Sequence, residues 1–225
     1  MSYCTEAFGA YDIRGIYPET INEEIAYRIG RFFPALFAAK KVVVGNDIRL
    51  SGPALKEALI KGLTESGCDV IDIGQCGTEM IYFATFHLKL DGGVMITASH
   101  NPKEYNGMKF VRQGARPISG DTGLRELEAK VADGELPAIA EVSGKVEQGN
   151  IVEDYVKHIL SYVDVTKLKP LKVVVNAGNG AAGPILDVME KYLPFELVKV
   201  HHQPDGSFPN GVPNQIGRAS CRERV

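Results

Sequence analysis

Hydrophobic positions along the chain follow two alternating periodicities. Over residues 22–39, apolar side chains such as Ile25, Ile29 and Phe32 recur at spacings of three and four, which predicts an amphipathic helix. Short β-branched runs bounded by glycine and polar residues predict buried strands, at KVVVGND (41–47), VIDIG (70–74) and GGVMITA (92–98).

Two further helices are predicted between these strands, one from a Ser51 cap to Gly67 and one over residues 79–88. NGMKFVR (106–112) predicts a strand paired with its neighbour, and a helix capped by Asp121 follows it. Strands separated by helices predict the α/β class, with a mixed, mostly parallel sheet sandwiched between helices.

The polar, glycine-rich residues 134–150 are interpreted as a linker, because helix–strand alternation restarts after them. The second unit is predicted to contain helices at 151–163 and 181–192 and strands at 171–177 and 195–200. Two strands make a poor core, so this unit is expected to be partial, and an unpaired strand edge there predicts self-association. The expected division is therefore a first domain over 1–150, part of a second over 151–216, and a tail over 217–225.

Composition excludes several classes without choosing a function. The 225 residues carry a formal charge of −3, with 44% hydrophobic and 24% charged residues, as in ordinary globular proteins. The sequence contains no clustered basic segment of the kind that predicts nucleic-acid binding. The most apolar early stretch contains Arg28, Arg31 and Pro34 and falls short of the roughly 20 residues that span a bilayer. The amino-terminal residues do not resemble a signal peptide. Four cysteines without a CxxC pair predict reduced thiols, so a cytoplasmic location without membrane or nucleic-acid partners is expected.

Candidate chemistry begins where the strand at 92–98 ends, in the segment TASHNP. Ligands of open α/β sheets bind beyond the carboxyl ends of strands, and Ser99 lies at such an end. Pro102 disfavours helical backbone at Asn101 and keeps the loop open. Ser99 could act as a nucleophile or carry a phosphate of charge about −1.5 to −2, with His100 and Lys109 as nearby cations. An ordinary polar turn remains the alternative.

A serine hydrolase is disfavoured at this loop. The nucleophile elbow of α/β-hydrolases reads GxSxG, which Ser99 lacks. Adjacent side chains on an extended loop point apart, so His100 is expected to be poorly placed as a base for Ser99. Phosphoryl transfer depends more on positioning and charge stabilisation, which suits this loop better.

Two arginines are candidates for binding a phosphate through their planar guanidinium groups. Arg14 lies in YDIRG, read as a loop, and Arg49 lies in GNDIRLSG, between a strand end and a helix start. Either residue taken alone is compatible with a surface arginine beside a turn.

A dinucleotide-type motif in NAGNGAAG has a weaker case. Gly178, Gly180 and Gly183 form GxGxxG between a strand and a helix. The acidic residue expected at the end of the next strand is missing, because FELVKV runs into His201 and His202. The glycines are better interpreted as permitting a tight, closely packed turn.

Taken together, these motifs resemble one family. FGAYDIRG, VVVGNDIRLSG, GTEMIYFATF, DGGVMITASHNPKEYNGMKFVRQGARPISGDTG, VVNAGNGAAGP and HHQPDGSFPNGVPN occur in the order found in the α-D-phosphohexomutase superfamily. The likeness covers residues 7 to 214, and within the superfamily it favours the bacterial phosphomannomutases. The expected fold is then domain I of that superfamily plus part of domain II.

The resemblance implies a mechanism. Ser99 would carry a phosphoryl group and exchange it with a hexose phosphate through a bisphosphorylated sugar, interconverting mannose 1-phosphate and mannose 6-phosphate for GDP-mannose synthesis. Mg²⁺ would bind at Ser99 through its phosphate, and a hexose 1,6-bisphosphate would be the activator. His100, Asn101, Lys109 and Arg14 match positions around that phosphate, with Lys109 assigned to proton transfer. Phosphoglucomutase or phosphoglucosamine mutase activity, or a non-catalytic phosphate-binding module, remain alternatives.

The sequence also departs from the superfamily pattern. The metal loop with three aspartates, the sugar-recognition loop and the carboxy-terminal phosphate loop are not found, and the last residues, QIGRASCRERV, resemble nothing in the family. A truncated chain, inactive by itself, is therefore expected.

Overall fold

A mixed sheet organises residues 13–148, and a two-stranded sheet follows it. The structure is a computed structural model that describes residues 3–212. The strands of the first sheet are β1 (Ile13–Ile16), β2 (Lys41–Asn46), β3 (Asp69–Gln75), β4 (Gly92–Ile96), β5 (Tyr105–Arg112), β6 (Arg116–Pro117) and β7 (Val146–Gln148). Its helices are α1 (Glu23–Phe37), α2 (Gly52–Glu65), α3 (Thr78–His87) and α4 (Leu124–Asp133). The second unit contains α5 (Val152–Leu160), β8 (Leu171–Asn176), α6 (Ala182–Met189) and β9 (Phe195–Val200). Short 3₁₀ turns lie at Gln113–Ala115, Gly120–Thr122, Val165–Lys167 and Glu190–Tyr192.

The strand order of the first sheet is β1-β5-β4-β2-β3-β7, with β6 paired to β5. Four neighbouring strands, β4, β2, β3 and β7, run parallel to one another. Strand β5 is antiparallel to both of its neighbours, β4 and β1. This arrangement confirms the predicted mixed, mostly parallel sheet. It also brings the carboxyl ends of β2 and β4 side by side, because Val44 of β2 pairs with Val94 of β4.

Of two predicted helix caps, one is confirmed in position and one is wrong. Ser51 occupies the N-cap position of α2, but it makes no capping bond, and its Oγ instead accepts a hydrogen bond from Asn106 Nδ2 at 2.8 Å. Asp121 lies inside the 3₁₀ turn, and α4 begins only after Gly123. A polar residue before an apolar run therefore marks the start of α2, whereas an extra 3₁₀ turn separates Asp121 from the start of α4.

The predicted linker over 134–150 is also wrong in part, because residues 146–148 form β7. This strand pairs in parallel with β3, in register Val70↔Val146. All three of its residues are exposed, so no apolar alternation marks it in the sequence. Backbone pairing makes the strand, and Gly144 permits the approach, since a Cβ there would lie 2.0 Å from the carbonyl oxygen of Cys68.

The sheet buries side chains on both faces. Val42 and Val44 of β2 belong to one hydrophobic cluster with α1, α2 and α4, whereas Val43 belongs to a second cluster with α3. The second cluster also contains Ile151 and Ile185, so the second unit packs on the same face of the first sheet. Full burial of one such side chain stabilises the fold by about 1.5–3 kcal/mol.

Helices α1 and α2 cross at two glycines. A Cβ on Gly30 would lie 2.3 Å from the carbonyl oxygen of Leu59, and a Cβ on Gly62 would lie 2.3 Å from that of Tyr27. Backbone therefore packs directly against backbone at this crossing. Within residues 3–212, none of the helices has the length and apolar character needed to cross a membrane.

Three described cysteines, Cys4, Cys68 and Cys76, are free thiols. Burial raises the pKa of Cys68 and of Cys76 to about 12, which keeps both thiols protonated at neutral pH. Cys221 and the predicted tail over 217–225 lie outside the described residues.

Candidate active site

Ser99 lies just past the carboxyl end of β4. Thr97 and Ala98 are buried, whereas Ser99 and His100 are exposed. The end of β2 is tied to the same point, since Asp47 N–H donates to the carbonyl of Ile96 at 2.9 Å. Ser99 therefore occupies the predicted position at the edge of the sheet where ligands of open α/β folds bind.

The backbone of Ser99 is left-handed, with φ of +54°. For a residue with a Cβ, this conformation costs roughly 1–2 kcal/mol. Hydrogen bonds on both sides hold it in place. The N–H of Ser99 donates to Thr97 Oγ1 at 2.8 Å, and its carbonyl accepts from Arg49 Nη2 at 3.0 Å.

The expectation that His100 points away from Ser99 is wrong. Ser99 Oγ lies 3.3 Å from His100 Nδ1, within hydrogen-bonding distance. The expectation assumed extended backbone, in which adjacent side chains alternate, whereas Ser99 is left-handed and the two side chains turn to the same side. The imidazole is thus placed to exchange a proton with the serine hydroxyl.

Arg14 lies on β1 and not in the predicted loop. Its Nη1 donates to Asn101 Oδ1 at 2.7 Å, and its Nε and Nη2 donate to Asp12 Oδ2 at 3.0 and 2.8 Å. The same Asp12 oxygen accepts from Lys109 Nζ of β5 at 2.5 Å. The structure thus brings three of the predicted site residues, Arg14, Asn101 and Lys109, into one network with Asp12. We call these four residues the cation network.

Asp12 is the member of the cation network that sequence reasoning missed. Burial alone would raise the pKa of its carboxyl group, but hydrogen bonds and charge from Arg14 and Lys109 outweigh burial and hold this pKa below its usual value. Two cations share one carboxylate, so the network retains a net positive charge beside the Ser99 loop. An acidic residue two positions before Arg14, in YDIRG, was the available signal.

The side chain of Arg49 is not free to bind a ligand, contrary to the prediction that it could bind a phosphate. Its Nη1 donates to the carbonyls of Pro102 and Tyr105 at 2.6 and 2.8 Å, and its Nη2 to those of Ser99 and Asn101 at 3.0 and 2.7 Å. Its side chain is only 1% exposed. Arg49 therefore binds the loop itself.

A partner carboxylate accompanies Arg49. Asp47 Oδ2 accepts from Arg49 Nε at 3.3 Å and from Thr97 Oγ1 at 2.6 Å. Burial raises the pKa of Asp47 and lowers that of Arg49, although their mutual attraction offsets part of both shifts. The Asp47–Arg49 pair therefore supports the Ser99 loop through hydrogen bonds to Thr97 and to the loop carbonyls.

An open cleft of ≈ 600 Å³ adjoins Ser99 and His100. The second unit contributes Ala177, the turn at 180–182 and Phe208 to its lining. The glycine motif thus reaches the cleft, which the sequence did not suggest. The interpretation as a closely packed turn also agrees with the geometry, because a Cβ on Gly183 would lie 2.0 Å from the carbonyl oxygen of His202.

Two family models match the chain. The phosphoglucomutase/phosphomannomutase α/β/α domain I matches residues 5–137, and domain II of the same family matches residues 153–223. The chain belongs to the phosphoglucomutase/phosphomannomutase family.

Relatives within this family are similar across the chain. A phosphomannomutase of Salmonella typhimurium is 53% identical over 222 residues, which cover 96% of this chain and 48% of the relative. Phosphohexose mutases of Xanthomonas campestris are 55% identical over 210 residues, covering 93% and 47%. A crystal structure of a phosphoglucomutase/phosphomannomutase family protein from Burkholderia thailandensis superposes with a TM-score of 0.83 at 38% identity, covering 94% of this chain and 47% of that one. The chain spans about half the length of the curated relatives it matches.

The resemblance to the phosphohexomutase superfamily implies a bound Mg²⁺. Mg²⁺ prefers oxygen ligands, usually carboxylates and phosphate. Within residues 3–212, no three His, Cys, Asp or Glu side chains cluster closely enough to hold a metal ion. The described part of the chain therefore does not form a magnesium site by itself.

Proposed function

We propose that Ser99 is the phosphoryl carrier of a phosphohexomutase that interconverts mannose 1-phosphate and mannose 6-phosphate. The observation that carries the proposal is the exposed Ser99 hydroxyl, held in a fixed backbone conformation at a cleft, with His100 Nδ1 at 3.3 Å. The cation network lies beside the same loop, through the bond from Arg14 to Asn101.

The proposed reaction balances as two phosphoryl transfers. Ser99 Oγ forms a bond to phosphorus of a hexose 1,6-bisphosphate while a P–O bond to one sugar oxygen breaks, and the serine proton passes to His100. Phospho-Ser99 then transfers this group to the free 6-hydroxyl of mannose 1-phosphate, which gives the 1,6-bisphosphate. Ser99 takes back the 1-phosphoryl group of that bisphosphate, and mannose 6-phosphate is released. Arg14 and Lys109 stabilise the transferred charge, Lys109 exchanges the proton of the sugar hydroxyl, and Asn101 holds Arg14 toward the loop.

Relatives that are named phosphomannomutases support mannose phosphates as substrates. Glucose and glucosamine phosphates are the alternatives within the same family. We propose Mg²⁺ as the metal and a hexose 1,6-bisphosphate as the activator. A phosphate on Ser99 would offer one magnesium ligand. Free thiols at Cys4, Cys68 and Cys76 support a cytoplasmic location.

The test of the carrier role is chemical. The purified chain is incubated with mannose 1,6-bisphosphate or glucose 1,6-bisphosphate and Mg²⁺, and phosphopeptides are located by mass spectrometry. Phosphate is expected on Ser99 and should be absent from Ser99→Ala. Ser143→Ala, which removes an exposed serine hydroxyl elsewhere, is the matched control and should leave Ser99 phosphorylated. Phosphate on a different serine would refute the assignment.

A phosphate-binding module without turnover is the second candidate function, and the net positive cation network favours it equally. Transfer of a phosphoryl group from the bisphosphate to Ser99 separates the two, because a module that only binds phosphate would not become phosphorylated there. Binding of inorganic phosphate without phosphorylation of Ser99 would support the module. We predict that the 225 residues alone convert little substrate.

A further inference from the structure

We propose that Arg49 is the positioning residue for Ser99. Its guanidinium group donates hydrogen bonds to carbonyls of the loop 99–105 and thereby holds the Ser99 hydroxyl toward the cleft. The inference rests on the proposed function of Ser99 and adds a residue that acts without touching the substrate.

The first observation is that one ion pair reaches both peptide groups of Ser99. On one side, Asp47 accepts from Thr97 Oγ1, which in turn accepts from the N–H of Ser99 at 2.8 Å. On the other side, Arg49 donates to the Ser99 carbonyl at 3.0 Å. A non-glycine residue with positive φ persists only where its surroundings hold it, and the Asp47–Arg49 pair supplies both restraints.

The second observation is that Arg49 has no donor left for a ligand. A guanidinium group has five N–H donors. Four of them bind the carbonyls of Ser99, Asn101, Pro102 and Tyr105, and the fifth binds Asp47. A direct role in binding the sugar phosphate would require Arg49 to give up one of these bonds.

The third observation is that Arg49 is enclosed. Its side chain is 1% exposed, and the ring of Phe208, from the second unit, lies 5.3 Å from its guanidinium carbon. A lysine could keep the charge, but one ammonium group cannot span four carbonyls that surround a planar fork. A loop whose geometry is already fixed needs less reorganisation during transfer of the phosphoryl group to Ser99.

The experiment compares Arg49→Lys with Arg31→Lys in the whole chain. Arg31 is the matched control, since its side chain is 2% exposed and it bonds Ser66, Tyr27 and Pro137 away from the cleft. Hydrogen exchange of the amides of Ser99, Asn101 and Tyr105 is measured together with the rate of Ser99 phosphorylation by mannose 1,6-bisphosphate and Mg²⁺. Circular dichroism verifies folding of each variant.

In Arg49→Lys, the three loop amides should exchange about tenfold faster, with amides of β2 unchanged, and phosphorylation should slow by about tenfold. Arg31→Lys should change neither quantity at the loop. Guanidinium ion added to Arg49→Ala should restore part of the phosphorylation rate, which a loss of global stability would not allow. Asp47→Asn is the second variant if Arg49→Lys does not fold, and it should loosen the same amides.

Three outcomes would overturn the positioning role. They are unchanged loop exchange in Arg49→Lys, equal acceleration throughout the chain in both lysine variants, and a loosened loop that is phosphorylated at the wild-type rate. If the wild-type chain accepts no phosphate, the exchange pattern still decides whether Arg49 holds the loop.

Discussion

Asp12 Oδ2 accepts a hydrogen bond from Lys109 Nζ at 2.5 Å across the β1–β5 pair, although 97 positions separate the two residues in the chain. The same oxygen accepts from Arg14, so one carboxylate orients both cations beside the Ser99 loop. Asp12 therefore lowers the positive charge beside the Ser99 loop.

Removing that carboxylate should strengthen the binding of phosphate. In Asp12→Asn the net charge of the cation network rises by one, so inorganic phosphate should bind about tenfold more tightly by isothermal titration calorimetry. Asp133→Asn, which removes an exposed charge at the end of α4, is the control and should leave binding unchanged. Weaker binding by Asp12→Asn would show that orienting the cations matters more than the added charge.

The pH dependence of stability should report the same carboxylate. The folded-state pKa of Asp12 lies below the ordinary value of 3.8, so its contribution to the free energy of unfolding is present above about pH 4 and is lost as pH falls through the folded pKa. Asp12→Asn should therefore cost about 2 kcal/mol at pH 7 and progressively less below pH 4. Urea unfolding at pH 7 and at a pH below 4 measures the difference between the two costs. A cost that does not change with pH would contradict the assignment.

The glycine crossing of α1 and α2 should tolerate no side chain. Gly30→Ala places a methyl group against the carbonyl of Leu59 and should destabilise the fold by about 3 kcal/mol, although alanine favours helix. Ala35→Gly, on the exposed side of α1, is the comparison and should cost about 1 kcal/mol. Chemical unfolding gives both values, and a stabilised Gly30→Ala would mean that the helices can move apart.

The second unit should mediate association between copies of the chain. Among the described residues, only β8 and β9 form its sheet, and Val174 is 69% exposed on it. An open strand edge with apolar side chains favours pairing between molecules. Light scattering should detect oligomers that Val174→Lys reduces, whereas Val142→Lys, at an 80% exposed site of the first unit, should not. A monomer at all concentrations would exclude this prediction.

Local pattern predicted most of the fold because the residues that define an element lie close together in the chain. The valines of β2 and the three- and four-residue spacing in α1 correctly located these elements. The pattern failed at β7, whose three exposed residues are held by backbone bonds to β3 that no side-chain alternation records.

The same contrast divides the candidate site. The amino-acid sequence alone determined that Ser99 follows a buried strand and that Arg14, His100, Asn101 and Lys109 are the residues to examine. Only the tertiary structure decided that Ser99 is left-handed and faces His100, that Asp12 joins two cations, and that Arg49 binds the loop and not a ligand. The contacts of Arg49 with Ser99 and of Asp12 with Lys109 join residues 50 and 97 positions apart, and strand pairing brings those backbones together.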